Sequence, residues 1–143
     1  ILRTSWVYSN HGNNFVKTML RLMAEKPELG VIDDQIGSPT WARDLAKACI
    51  YAIKNQVSGV HHWTDNGVAS WYDFAVAIQS LALEKGLLTH AIPIKPIPSS
   101  AYPTPAKRPH YSVLDKSTLA SEFSGLAPQY WRKALSDMLD ELS

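Results

Sequence analysis

One cysteine, Cys49, stands in 143 residues, so no internal disulfide can form and nothing argues for an oxidising compartment. Seven glycines contain no G-x-G-x-x-G run and no P-loop, so the sequence holds no cradle for dinucleotide or ATP phosphates. The longest apolar runs, such as Ala48 to Ile53, fall far short of the ~20 residues that cross a bilayer. A net charge of +1 without any basic block argues against a nucleic-acid partner. The cytoplasm is the default location.

Metal chemistry is poorly provided for. His61 and His62 are adjacent, so in a strand they face opposite ways and cannot share one ion. One packed and one solvated histidine is the simpler expectation. Asp33-Asp34 reads as an exposed turn pair rather than a Mg²⁺ site. Cys49 falls on what reads as the buried stripe of a helix, where a thiol is inert.

What is present is an ordinary globular composition, 45% hydrophobic and 19% charged, enough for one core. The chain opens Ile1-Leu2-Arg3-Thr4-Ser5-Trp6-Val7-Tyr8, without Met, inside what reads as a buried strand. The expectation is a fragment whose pairing strands lie upstream. Phe15, Met19, Leu22 and Met23 make one face of a helix starting at Asn14. Leu29 to Asp33 reads as a strand. Thr40 is placed to cap a second helix with a stripe of Trp41, Leu45, Cys49 and Ile53. Gly59 to Thr64 reads as another strand.

Ser70 caps a third helix, with Asp73 at the capping-box position and Phe74, Ile78 and Leu81 inward. Six of the nine prolines fall between 93 and 109 and predict an extended, pinned segment. Ser117 to Phe123 reads as a short helix. Pro128 opens a last helix carrying Trp131, Leu135, Met138 and Leu142. Trp63, Trp71 and Trp131 read as core. The alternation predicts an α/β layered domain.

Three segments in succession are specific. They are Arg3 to Tyr8 followed by Asn14 to Leu20, then Asp33-Asp34-Gln35-Ile36-Gly37-Ser38-Pro39-Thr40, then Tyr102-Pro103-Thr104-Pro105-Ala106-Lys107-Arg108-Pro109 with Ser112 to Asp115. With Ser70 to Ala75 and the Trp131 helix, this succession resembles the dTDP-4-dehydrorhamnose reductases, which are extended short-chain dehydrogenases. The resemblance runs from Ile1 to about Leu142. It implies the C-terminal, sugar-nucleotide-binding portion of the fold (residues 1–143), with 1–8 as the strand leaving an absent Rossmann half. It also implies NADPH, or NADH, bound by that other half. No Tyr here is followed four residues later by Lys, so no catalytic residue is expected in the chain itself.

The resemblance places Trp6, Asn14, Phe15, Tyr102, Thr104 and Arg108 at a dTDP-deoxyhexulose substrate, with Thr4 and Ser5 on the cofactor side. Trp6 offers a rigid apolar face for a deoxysugar. Core packing competes with that reading. Arg108 offers planar bidentate donors for a diphosphate, and solvation of the basic pair competes there. Tyr102 in a proline-rich wall can equally just pack. The Gly37 to Thr40 turn is read as structural. Mg²⁺-bridged family dimers cannot be carried over without the other half, and Arg43 stands near where an acidic metal ligand would be needed. No metal site is expected, and a homodimer stays open. Two other readings stay open too: a non-catalytic regulatory subunit of the same fold, and another NDP-sugar reductase or epimerase.

Overall fold

Strands and helices alternate along the chain in a computed structural model that describes residues 1–143. The order is β1 (Leu2–Arg3), β2 (Val7–Tyr8), α1 (Phe15–Glu25), β3 (Leu29–Ile32), β4 (Ile36–Gly37), β5 (Thr40–Trp41), α2 (Ala42–Lys54), β6 (His61–His62) and β7 (Ala69–Ser70). Then come α3 (Trp71–Glu84), β8 (Ile94–Ile97), α4 (Leu119–Glu122) and α5 (Trp131–Asp140). The α/β class expected from the alternation is what forms.

The strands pair two by two. β1 runs parallel to β6, β2 to β5, and β3 to β8, while β4 is antiparallel to β7. The segment Ile1 to Tyr8, expected as one strand, is therefore two. Trp6 breaks it with a φ of 50°, a left-handed conformation that a bulky residue holds at a cost of about 1–3 kcal/mol. That bend hands the chain from one partner, β6, to the next, β5. No glycine marks it in the sequence.

α1 begins as expected. Asn14 is its N-cap, its Oδ1 accepting the Lys17 N–H at 3.2 Å. Val16, Met19 and Met23 are buried beneath it. α3 starts with the full capping box: the Ser70 hydroxyl accepts from the Asp73 N–H at 2.9 Å, and the Asp73 carboxylate accepts from the Ser70 N–H at 3.0 Å. This helix buries Phe74, Ala75, Ala77, Ile78, Leu81 and Ala82. Its small residues let α1, α5, β3 and β8 pack around it. Most of the core collects there. A second, smaller cluster joins Ala48, Trp63, Leu119 and Phe123.

Three expectations fail. Thr40 does not cap α2; it lies in β5, and the N-cap position, Trp41, has no side-chain cap of its own. Asp65 does that work from 24 residues away, its Oδ2 accepting the Trp41 N–H at 3.1 Å. The buried face of α2 is Trp41, Asp44 and Ala48, with Leu45, Tyr51 and Ala52 half-buried. Cys49 and Ile53 are exposed instead. A strict spacing of four advances about 40° per step on a helix of 3.6 residues per turn, so the supposed stripe drifts off the core. Last, α5 starts at Trp131 rather than at Pro128. Residues 129–131 first pair with Asn66, whose N–H donates to the Gln129 carbonyl at 2.7 Å and whose carbonyl accepts from the Trp131 N–H at 2.9 Å.

Candidate functional site

β3 and β8 lie side by side from Leu29 opposite Ile94 to Ile32 opposite Ile97. Beyond β8 the chain makes one 3-10 turn at Ser99–Ala101 and continues as an exposed loop to Tyr111. This loop and α1 enclose a cleft of about 940 Å³. Phe15, Met19 and Leu22 supply its α1 wall, Val31 and Ile97 its sheet wall, and Trp71 its aromatic end. Tyr102, Thr104, Lys107, Arg108 and His110 form the rim. A mostly apolar hollow with a few polar groups on one edge has the form of a small-molecule site.

The lining combines two kinds of chemistry. Trp71 stacks on Trp6, with ring centroids 3.7 Å apart and planes 14° apart, and Phe15 meets Trp71 at 4.8 Å. Phe74 closes the group from below, 5.3 Å from Phe15. The exposed loop adds two cations to the same lining, Lys107 and Arg108. None of the chain's ion pairs uses Lys107 or Arg108, so both charges are free for an anion. Thr104 is partly committed, its hydroxyl donating to the Ala106 carbonyl at 2.8 Å.

Of the residues expected at a ligand, Phe15, Tyr102, Thr104 and Arg108 come together in this cleft. Trp6 does not line it; the ring is half-buried and backs Trp71. Trp71 had been assigned to the core, yet it presents the aromatic surface. Its place as the first helical residue after the Ser70 cap, at a strand-to-helix junction, was the available signal. Asn14 spends its side chain on the cap and on the Ser9 carbonyl. The Ser5 hydroxyl donates to the Ser38 carbonyl at 3.2 Å, and the Thr4 hydroxyl to the Thr40 hydroxyl at 3.5 Å. Both residues therefore brace the 38–40 turn, and both stay half-exposed.

Gly37 is the reason that the turn and Trp6 can meet. A Cβ there would lie 2.7 Å from Trp6 Cε2 and 2.8 Å from Cζ2, well inside contact distance. The Asp33–Asp34 pair is only half as expected. Asp33 is exposed, but Asp34 is half-buried, its carboxylate accepting from the Ser99 N–H and hydroxyl.

A buried acid stands at the start of α2. Asp65 has no exposed surface, and its Oδ1 has no hydrogen-bond partner. Burial, reinforced by the nearby Asp44 carboxylate, pushes its pKa up to about 7, against the opposing effect of the Trp41 N–H and Lys116. The Lys116 ammonium donates to the Thr64 and Asp65 carbonyls and to Asn66 Oδ1 at 2.7–3.2 Å. Tyr8 Oη is likewise buried without a partner, and burial raises its pKa.

His61 is packed and doubly bonded, Nδ1 to the Thr118 hydroxyl and Nε2 to the Ser58 carbonyl, both at 2.7 Å. His62 faces the other way, toward the Asp115 carbonyl. No group of three or more His, Cys, Asp or Glu side chains is placed to hold a metal ion. Arg43 lies 5.3 Å over the Trp41 ring and pairs with Glu141 at 2.6 Å. No helix is long and apolar enough to cross a membrane.

The RmlD substrate binding domain family matches residues 1–143. The chain belongs to that family. It is 42% identical to a dTDP-4-dehydrorhamnose reductase of Escherichia coli, over 99% of this chain and 49% of the relative. It is 46% identical to the spore coat polysaccharide biosynthesis protein SpsK of Bacillus subtilis, over 100% of this chain and 47% of that protein. The solved dTDP-4-dehydrorhamnose reductase of Bacillus anthracis, a complex with NADP, superposes with a TM-score of 0.86 at 34% identity, over 99% of this chain and 48% of that one. The RmlD domain thus spans about half the length of the curated relatives it matches.

The family implies a nicotinamide dinucleotide, and the residues present do not build a site for one. A pyrophosphate is ordinarily cradled by a glycine-rich turn at a helix N-terminus. The long helices of this chain have Asn14, Trp41, Ser70 and Tyr130 at their N-caps instead.

Proposed function

We propose that this chain is the substrate-recognition half of an NADPH-dependent reductase that converts dTDP-4-dehydro-L-rhamnose to dTDP-L-rhamnose. The observation that carries the reading is the make-up of the cleft. Arg108 and Lys107, in no ion pair, line the same hollow of about 940 Å³ as the aromatic rings of Phe15 and Trp71. A nucleoside diphosphate sugar has matching parts, an anionic centre between a flat base and a deoxysugar. Guanidinium meets the diphosphate with paired N–H donors, and each such charge-assisted bond contributes roughly 1.5–3 kcal/mol. Tyr102 and Thr104 border the same ligand.

In this reading Phe15 acts at the substrate directly, while Trp6 acts through the orientation its stacking gives Trp71 and Asn14 through the helix start that it caps. Thr4 and Ser5, at the break between β1 and β2, stand on the cofactor side. The chain supplies recognition only, and hydride and proton transfer belong to another part of the protein. The 143-residue chain should therefore show no NADPH-dependent ketone reduction.

The direct test is calorimetric titration of the chain with dTDP-L-rhamnose and with dTDP. Saturable binding that weakens about tenfold or more in Arg108→Ala supports the assignment. Equal binding by wild type and Arg108→Ala would remove the diphosphate clamp. Steady turnover of NADPH by the 143-residue chain would refute the division of labour.

A further inference from the structure

The rim loop that carries Tyr102, Thr104, Lys107 and Arg108 has almost no anchorage of its own. Residues 101–111 are all exposed. Apart from the 3-10 turn, the only internal tie made by its side chains is the Thr104 hydroxyl to the Ala106 carbonyl. Yet both ends of the loop return to one place, the turn between β3 and β4.

At the entry, the Asp34 carboxylate accepts from the Ser99 N–H at 3.0 and 3.1 Å and from the Ser99 hydroxyl at 3.1 Å. At the exit, His110 Nδ1 lies 2.8 Å from the Asp34 carbonyl oxygen. A carbonyl only accepts, so Nδ1 is the protonated nitrogen. The Ile36 N–H then donates to the His110 carbonyl at 2.7 Å, and the Ser112 N–H to the Ile36 carbonyl at 2.9 Å. Asp34 is thus the one residue bonded to both ends of the segment.

We infer that Asp34 is a positioning residue, a clasp that holds the 100–109 loop across the cleft before any ligand arrives. The inference rests on the substrate reading above only for what the loop meets, not for the clasp itself. Four prolines at 98, 103, 105 and 109 stiffen the loop between its ends. Stiffness alone does not aim it; a rigid strap hinged at a loose base swings as a body. Fixing the base removes that freedom in advance, so less ordering is left to oppose binding.

The test compares wild type, Asp34→Asn and Asp34→Ala in the same chain. Limited trypsin digestion reads cleavage between Lys107 and Arg108, the one basic site in the loop not followed by proline. Calorimetry with dTDP-L-rhamnose reads affinity. Asp34→Ala should be cut at least several-fold faster than wild type and bind about tenfold more weakly. Its Tm should stay close to wild type, because the bonds lost are only part-buried and tie down an exposed loop rather than the core. Asp34→Asn retains a carbonyl acceptor for the Ser99 N–H and should fall between the two.

Cleavage at the wild-type rate in Asp34→Ala overturns the clasp, whatever happens to binding. Faster cleavage confined to that loop, with general proteolysis and Tm unchanged, upholds it. If that loosening is seen while wild type binds no dTDP-sugar, the clasp stands and the substrate reading falls. If Asp34→Ala instead unfolds, Asp34→Asn decides: loop cleavage identical to wild type in that folded variant overturns the inference.

Discussion

Replacing Asp65 by Asn should make the protein more stable at pH 8 and leave it almost unchanged near pH 4. The carboxyl has no exposed surface, one oxygen bound to the Trp41 N–H and the other unpartnered. Its folded-state pKa is about 7, raised from 3.8 chiefly by burial. A raised carboxyl pKa means that the folded state holds a proton which the unfolded chain has already lost. Stability is therefore full below about pH 4 and declines as the pH rises toward 7. Each unit of displacement corresponds to about 1.4 kcal/mol, so the whole window is worth roughly 4 kcal/mol.

Asn keeps an acceptor for the Trp41 N–H and never ionises, so it avoids that loss. The assay is urea unfolding of both proteins at pH 4.5, 6, 7 and 8, taking the difference in stability at each pH. Other titrating groups are common to the pair and cancel. The advantage of Asp65→Asn should grow by about 2–4 kcal/mol across this series and level off above pH 7. A difference that does not change with pH, or one that shifts toward wild type as pH rises, would refute the account of a buried, unsatisfied acid.

Gly37→Ala should lower stability by about 1–3 kcal/mol in thermal unfolding, because its Cβ would lie 2.7 Å from the Trp6 ring; tryptophan fluorescence should shift with it. Ser70→Ala removes one arm of the α3 capping box and should cost about 1 kcal/mol in urea unfolding. Cys49 should react fully with a thiol reagent in the native protein, since its side chain is exposed; labelling that required denaturant would contradict the placement of α2.

The helices that sequence reading located well are those whose signals are local. Asn14 and Ser70 cap the chain three residues ahead of them, and the apolar positions of α1 and α3 recur on one face. Errors came where the controlling partner is distant. Asp65 caps α2 across 24 residues, so Thr40 looked like the only candidate. Asn66 holds residues 129–131 extended, which delays α5 past Pro128. Trp6 turns left-handed because the chain changes strand partner there, a tertiary requirement with no glycine to announce it.

At the site, the family pattern drew Phe15, Tyr102, Thr104 and Arg108 to one cleft. It did not show that Trp71, not Trp6, lines the hollow, because stacking order is a property of the folded aromatic group. Asp34 was hidden for a similar reason. Paired acids in a turn look solvated until Ser99 is brought to them.

Asp34 and Ser99 are 65 residues apart along the chain. During synthesis at about 5–20 residues per second, the first leaves the ribosome several seconds before the second. Through that interval β3 has no partner, since β8 has not yet been made. The apolar wall of α1 and β3 is then open to solvent and to any other unpaired strand. The cleft side of this domain consequently cannot close before β8 and the rim loop are made, and needs protection while the chain is growing.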